Sequence, residues 1–266
     1  MQDAHNHLHF AELAPARETL SQWAEATGIT RMIVNGTTVD DWPRVQQLAT
    51  NYPDLVRPAF GLHPWHITSR PANWLDQLER LLQATPQASI GECGLDRWIQ
   101  PHDLDDQLHV FRAHLDLAHR LERPLTIHCL KAWGPLVDTL RSNPLPPAGF
   151  LVHAFSGSAE TAKELTKLGA YFSFSGYFLH PRKESIRQTY REAIPRDRIL
   201  IETDAPSMPL PTDLVAYELP PDTDGHPVNH PGNLIAVRNG LADLLELDHA
   251  ELDSLLESNF TQLFGR

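Results

Sequence analysis

The chain is 266 residues long and carries 22 basic against 34 acidic residues, for a formal net charge of -12. A single α/β barrel, which needs about 250 residues, fits within it, whereas a polycationic nucleic-acid coat or polybasic membrane binder is excluded because a long-range negative field repels phosphate. Fifteen histidines beside only Cys93 and Cys129 make imidazole the source of any metal ligands or acid/base groups, and leave no disulfide framework.

Short apolar runs rich in β-branched residues alternate with longer amphipathic stretches, the rhythm of βα units around a parallel sheet. In chain order the strands are predicted at 2–8, 31–36, 55–61, 88–92, 124–129, 149–154, 170–175 and 198–204. Helices are predicted at 12–26, 39–50, 72–84, 103–121, 133–142, 158–168 and 183–193, with a C-terminal pair at 233–246 and 249–263. In 103–121, Leu104, Leu108, Phe111, Leu115 and Ala118 recur at three- and four-residue steps behind a capping Asp103. Gly169 reads as a helix stop, and Asp248 with Glu251 as a capping box. Residues 205–232 break the rhythm with seven prolines, at 206, 209, 211, 220, 221, 227 and 231. A loop this long is expected to be functional. The chain is therefore read as one domain over 1–266, a TIM-like (β/α)8 barrel with 205–232 as a lid over its mouth.

The opening Met-Gln-Asp-Ala-His-Asn-His has neither a basic nor an apolar leader segment, and no apolar run reaches the ~18 residues of a membrane span. The expected location is the cytoplasm, and the expected state a monomer without an obligate protein partner.

Chemistry enters with the polar exceptions to the apolar strands. Asp3, His5 and His7 alternate, which sends all three to one face of the first predicted strand. Alone, a His-x-His pair fits surface or core histidines as well as ligands. Glu92, His128, His153 and Asp204, however, each close a different apolar run. In a parallel barrel those ends meet at one face, where active sites are assembled. Four imidazoles and two carboxylates are too many for one tetrahedral zinc and suit two metals sharing a carboxylate, with Glu92 as the bridge. Two such ions, Zn, Mn or Mg, serve hydrolysis. Trp65, Trp98 and Trp133 fall just past strand ends, where an aromatic packs the rim or stacks a base. Cys93 and Cys129 are expected to pack, and His102, His109, His114 and His119 to be solvated.

The motifs Asp-Ala-His-Asn-His-Leu (3–8), Gly-Leu-His-Pro-Trp (61–65), Gly-Glu-Cys-Gly-Leu-Asp (91–96), Thr-Ile-His-Cys (126–129), Val-His-Ala-Phe-Ser-Gly (152–157) and Glu-Thr-Asp-Ala-Pro (202–206) resemble the TatD-type metal-dependent deoxyribonucleases of the amidohydrolase-like superfamily. Pro-Gly-Asn-Leu (231–234) and Ser-Asn-Phe-Thr-Gln-Leu-Phe-Gly (258–265) extend the match. The resemblance implies a TIM-like barrel, a binuclear divalent-metal centre and 3′ to 5′ exonuclease action on DNA ends. It implies that His5, His7, Glu92 and Asp204 hold one metal and Glu92, His128 and His153 the second. Asp204 would also orient or deprotonate the nucleophilic water, His63 would face the substrate phosphate, and Glu202 would support an additional ion. Where the family commonly has Ser-Arg-Asp-Ala after the fifth-strand histidine, this chain has Cys129-Leu130-Lys131-Ala132, so that Lys131 is either the cation for substrate or a solvated helix start. The lid carries Asp222, Asp224 and His226 and no lysine or arginine. The alternatives are an amidohydrolase or esterase acting on a small carbonyl substrate, and a non-enzymatic, metal-stabilised binding protein.

Overall fold

The computed structural model describes residues 1–265. Its strands follow the eight apolar runs: β1 (Gln2–Asn6), β2 (Arg31–Asn35), β3 (Val56–Phe60), β4 (Ser89–Asp96), β5 (Leu125–Leu130), β6 (Phe150–Val152), β7 (Ala170–Ser175) and β8 (Ile199–Glu202). Among the described residues the α-helices are α1 (Ala14–Glu18), α2 (Leu20–Thr27), α3 (Trp42–Asn51), α4 (Trp74–Ala84), α5 (Leu104–Arg120), α6 (Trp133–Ser142), α7 (Ala159–Lys167), α8 (Glu184–Glu192), α9 (Leu234–Leu245) and α10 (His249–Phe264). Each strand pairs in parallel with the next, from β1 through to β8. The ends then meet: Asp204 N donates to His5 O at 2.9 Å and His7 N to Ala205 O at 2.7 Å. The result is a TIM (β/α)8 barrel, with all strand C-termini at one mouth.

Two apolar layers hold it. The larger lies between strands and helices and includes Met32, Val34, Phe60, Phe111, Leu115 and Phe172. The smaller, inside the barrel, gathers Ala4, Ile33, Ala59, Leu151 and Leu200 against Phe260 and Leu263 of α10. That helix closes the end opposite the mouth, and Phe260 and Leu263 each contribute about 1.5–3 kcal/mol by their burial there. The caps sit where the sequence places them. Asp103 accepts from Asp106 N at 3.0 Å, Asp248 accepts from Glu251 N at 2.8 Å, and Gly169 follows α7 with φ +89°.

Three local expectations are corrected. The helix predicted over 12–26 is a 3-10 turn at Ala11–Leu13 followed by α1 and α2, because Thr19 leaves helical dihedrals at φ -117°, ψ 21°. Glu92 does not end its strand, since β4 runs on to Asp96. Gly94 permits this: a Cβ there would stand 2.0 Å from His128 O. Asp3 does not share a face with His5 and His7, because the β1–β2 register shifts between Asp3 and Asn6 and inverts the alternation. Asp3 instead accepts from Thr203 N at 3.0 Å, Thr203 Oγ1 at 2.6 Å and Asn6 Nδ2 at 3.1 Å, clamping β1 to β8.

In the 205–232 stretch, Asn229 Nδ2 donates to Thr203 O at 2.8 Å, and Asn233 Oδ1 accepts from Ala216 N and Tyr217 N at 3.0 and 2.9 Å. These bonds lay the segment down beside α9. No described helix is long and apolar enough to cross a membrane.

Candidate metal centre

Glu92 enters the barrel mouth from inside β4 and is almost fully buried. A carboxylate there is costly unless cations or hydrogen-bond donors surround it. Its two oxygens face different imidazoles. Oε2 lies 3.3 Å from His5 Nε2 and 3.2 Å from His7 Nε2. Both rings also stand 3.5 Å from Asp204 Oδ1 and their Nε2 atoms are 3.3 Å apart. Oε1 lies 2.8 Å from His153 Nε2, 3.1 Å from His128 Nδ1 and 3.3 Å from His63 Nε2.

The separations around Oε2, 3.2–3.5 Å, fit a cation, whereas the 2.8 and 3.1 Å at Oε1 are hydrogen-bond lengths. Ligand atoms on a tetrahedral ion with bonds of about 2.0–2.2 Å stand roughly 3.3–3.6 Å from one another. Tautomers point the same way. His7 Nδ1 meets Asn35 O at 2.8 Å and so carries the hydrogen, while His128 Nε2 meets Asp96 Oδ2 at 2.9 Å and does likewise. In the neutral rings, the remaining nitrogens therefore aim lone pairs at the Glu92 carboxylate. Such an arrangement needs a cation or a proton between nitrogen and oxygen.

The titration directions express that need. Burial opposes charge on each group, yet the facing partners outweigh it. Glu92 lies well below its ordinary range because His153, His63 and His5 face it. His7 rises to about 10 through Asp204 and Glu92, and His153 rises through Glu92 and Glu202. Asp204 stays low through bonds from His5 and His7.

His63 differs from the other rings. Trp65 N donates to its Nδ1 at 3.2 Å, so the ring hydrogen sits on Nε2 and points at Glu92. Burial lowers its pKa to about 4, leaving it a neutral N–H donor beside the cavity. Glu202 lies behind His153, with Oε1 3.6 Å from His153 Nδ1, and its Oε2 accepts from Ser173 Oγ. Lys131 is exposed, with Nζ 4.0 Å from the Trp98 ring centroid.

The site opens into a cavity of about 300 Å³ lined by His7, Phe10, His63, Trp65, His128 and Asp204 among others. Ser207 is the residue of the 205–232 stretch that borders it. A groove of about 660 Å³ beside α9 is larger, but the groups able to hold a metal among the described residues all lie at the barrel mouth. Chemistry rather than volume locates the site.

Two residues without an assigned role in the sequence support it. Asp96 holds His128 and also accepts from Trp65 Nε1 at 2.8 Å, while Gln107 of α5 exchanges two 2.8 Å bonds with its backbone. Continuing the alternation from Glu92 through Gly94 reaches Asp96, so a longer β4 would have exposed it. His114, expected at the surface, is fully buried: its Nδ1 donates to Val110 O at 2.8 Å and its Nε2 accepts from Leu62 N at 3.1 Å. It thereby fixes the backbone that carries His63. His109 and His119 are exposed, and Cys93 and Cys129 are buried in the core as expected.

The model of TatD related DNases matches residues 2–265. The metal-dependent hydrolase YjjV of Escherichia coli, itself described as uncharacterized, is 32% identical over 210 residues, covering 78% of this chain and 80% of its own. A 3'-5' ssDNA/RNA exonuclease TatD from Erwinia billingiae is 31% identical over 209 residues, with 78% and 79% covered. The crystal structure of YjjV aligns over 100% of this chain and 98% of its own with a TM-score of 0.89 at 29% identity. The chain belongs to the TatD-related DNase family, metal-dependent hydrolases that act on ester bonds.

Proposed function

We propose that the protein is a 3′ to 5′ exonuclease that hydrolyses phosphodiesters at nucleic-acid ends with two divalent ions, Mg, Mn or Zn. The observation that carries this reading is the division of Glu92, each of whose oxygens faces its own set of imidazoles. His5, His7, Asp204 and Glu92 would hold one ion, and Glu92, His128 and His153 the other. When bound, the ions supply Lewis-acid polarisation and a water of lowered pKa.

The chain's own groups do the rest. Asp204, ionised at the cavity wall, accepts the proton that water gives up as it attacks phosphorus. His63 Nε2–H donates to a non-bridging phosphate oxygen and so stabilises the charge that builds there. Glu202, 3.6 Å behind His153 Nδ1, places a buried carboxylate against that ring. Glu92 and Asp204 against two divalent ions would leave the ligand atoms about two charges positive, an excess that Asp96 and Glu202 behind the ligand histidines offset, inside a chain of net charge -12. The overall acidity then limits affinity for long duplexes, and a 300 Å³ cavity, small among ligand pockets, favours a chain end.

Label position on oligonucleotides tests this. A 5′-labelled single strand incubated with Mn or Mg should shorten stepwise from its 3′ end, and a chelator should stop it. An intact strand beside turnover of an amide, ester or lactone panel would replace the nuclease reading with a carbonyl hydrolase on the same centre.

A further inference from the structure

Trp65 and Trp98 are 47% and 59% exposed, and with Leu214 they are the large hydrophobic side chains left in solvent among the described residues. Two of the three are joined through Asp96, which also bonds His128 of the metal centre. Trp65 borders the cavity, its ring edge-on to His63 with centroids 5.1 Å apart. Trp98 follows β4 directly. Both are tied to one carboxylate: Asp96 Oδ2 accepts from Trp65 Nε1 at 2.8 Å, and Asp96 Oδ1 accepts from Trp98 N at 2.6 Å and Ile99 N at 3.1 Å. Lys131, at the end of β5, lays its ammonium over the Trp98 ring at 4.0 Å.

Core packing does not account for this arrangement. A tryptophan recruited for packing buries its ring and satisfies its N–H at the edge. Here Asp96 satisfies the Trp65 N–H and the Trp98 backbone while much of each ring stays in water. Exposed aromatic rings, one held by its N–H and the other with a cation over it, next to a hydrolytic centre match what binds a single nucleic-acid strand: bases stack on the rings and a phosphate meets the cation. In a duplex those base faces are already stacked.

We propose that Trp65 and Trp98, held by Asp96 and flanked by Lys131, form a platform on which unpaired bases of a nucleic-acid strand stack as its end enters the metal centre. The platform rests on the nuclease reading above and adds to it a base-contacting subsite outside the metal centre, tolerant of base identity. Lys131 takes an adjoining phosphate. Asp96 is a positioning residue that serves platform and metal ligand together, since its Oδ2 also meets His128 Nε2.

Fluorescence anisotropy with the manganese-loaded protein and a non-cleavable phosphorothioate oligothymidylate tests the platform. A second strand of equal length, abasic near its 3′ end, serves as its control. Loss of one stacked base is worth ~1–3 kcal/mol, so Trp98→Ala should weaken binding of the base-bearing strand about 5- to 150-fold. Trp98→Phe should restore most of it, and the abasic strand should bind wild type and Trp98→Ala alike. Trp98 is exposed, so circular dichroism should show both variants folded. Equal affinity of Trp98→Ala and wild type for the base-bearing strand would overturn the platform, as would equal affinity of wild type for both strands, or tighter binding of a duplex. The two readings fail separately. Wild type that cleaves a phosphodiester strand, with no effect of Trp98→Ala on binding, keeps the nuclease and removes the platform. Base-dependent binding through Trp98 without cleavage keeps the platform and removes the nuclease.

Discussion

Asp96 Oδ2 accepts from His128 Nε2 at 2.9 Å, on the far edge of the ring from the nitrogen that faces Glu92. This bond fixes the His128 tautomer and keeps its Nδ1 lone pair available to a cation. Partners of this kind typically change metal affinity 10–100-fold when removed. Asp96→Asn preserves shape while losing the charge. We expect one of two ions to bind about 10–100-fold more weakly and the other to be nearly unaffected, as read by chelator competition. Unchanged affinity at both sites would assign Asp96 to the loop alone.

His63 approaches the same carboxylate as the ligand histidines, but its hydrogen lies on the inward nitrogen. It should therefore act on substrate and leave metal content alone. Removing a comparable donor to developing oxyanion charge costs about 10²–10³ in kcat. His63→Ala should lose activity on that scale with metal stoichiometry intact, whereas loss of an ion would make His63 a ligand.

His114 links acid sensitivity to the fold. Burial lowers its pKa from 6.5 to about 4, and protonation would turn the Nε2 acceptor toward Leu62 N–H as a second donor. The folded pKa lies below the unfolded one, so the unfolded chain binds more protons between them. The contribution is therefore full above pH 6.5 and is lost as pH falls toward 4, reaching about 3 kcal/mol for a shift of this size. Urea denaturation in chelator should show His114→Gln, which can still accept from Leu62 N–H, losing less stability than wild type between pH 7 and 5. Parallel losses would remove His114 from the acid response.

The barrel was legible because its eight apolar runs are separated by amphipathic helices, a signal set by burial alone. His5, His7, Glu92, His128, His153 and Asp204 were legible as polar residues at or near the ends of such runs. Alternation failed at Asp3, where a register shift changes the face without changing the letters. It failed again at β4, where Gly91 and Gly94 lower strand propensity even though Gly94 is what lets β4 approach His128. Helical spacing does place His114 between Phe111 and Leu115 on a buried face, but a polar side chain masks that signal until its partners, Val110 O and Leu62 N, are known. The roles of Asp96 and of Glu202 behind His153 depend on neighbouring strands and have no local signature.

The central claim is that Glu92 joins two cation sites. Metal analysis of wild type and Glu92→Ala after dialysis against manganese tests it most directly, with circular dichroism to establish that the variant is folded. Wild type should hold about two ions per chain, and Glu92→Ala one or none. A single ion in wild type, or two retained by the folded variant, would contradict the account.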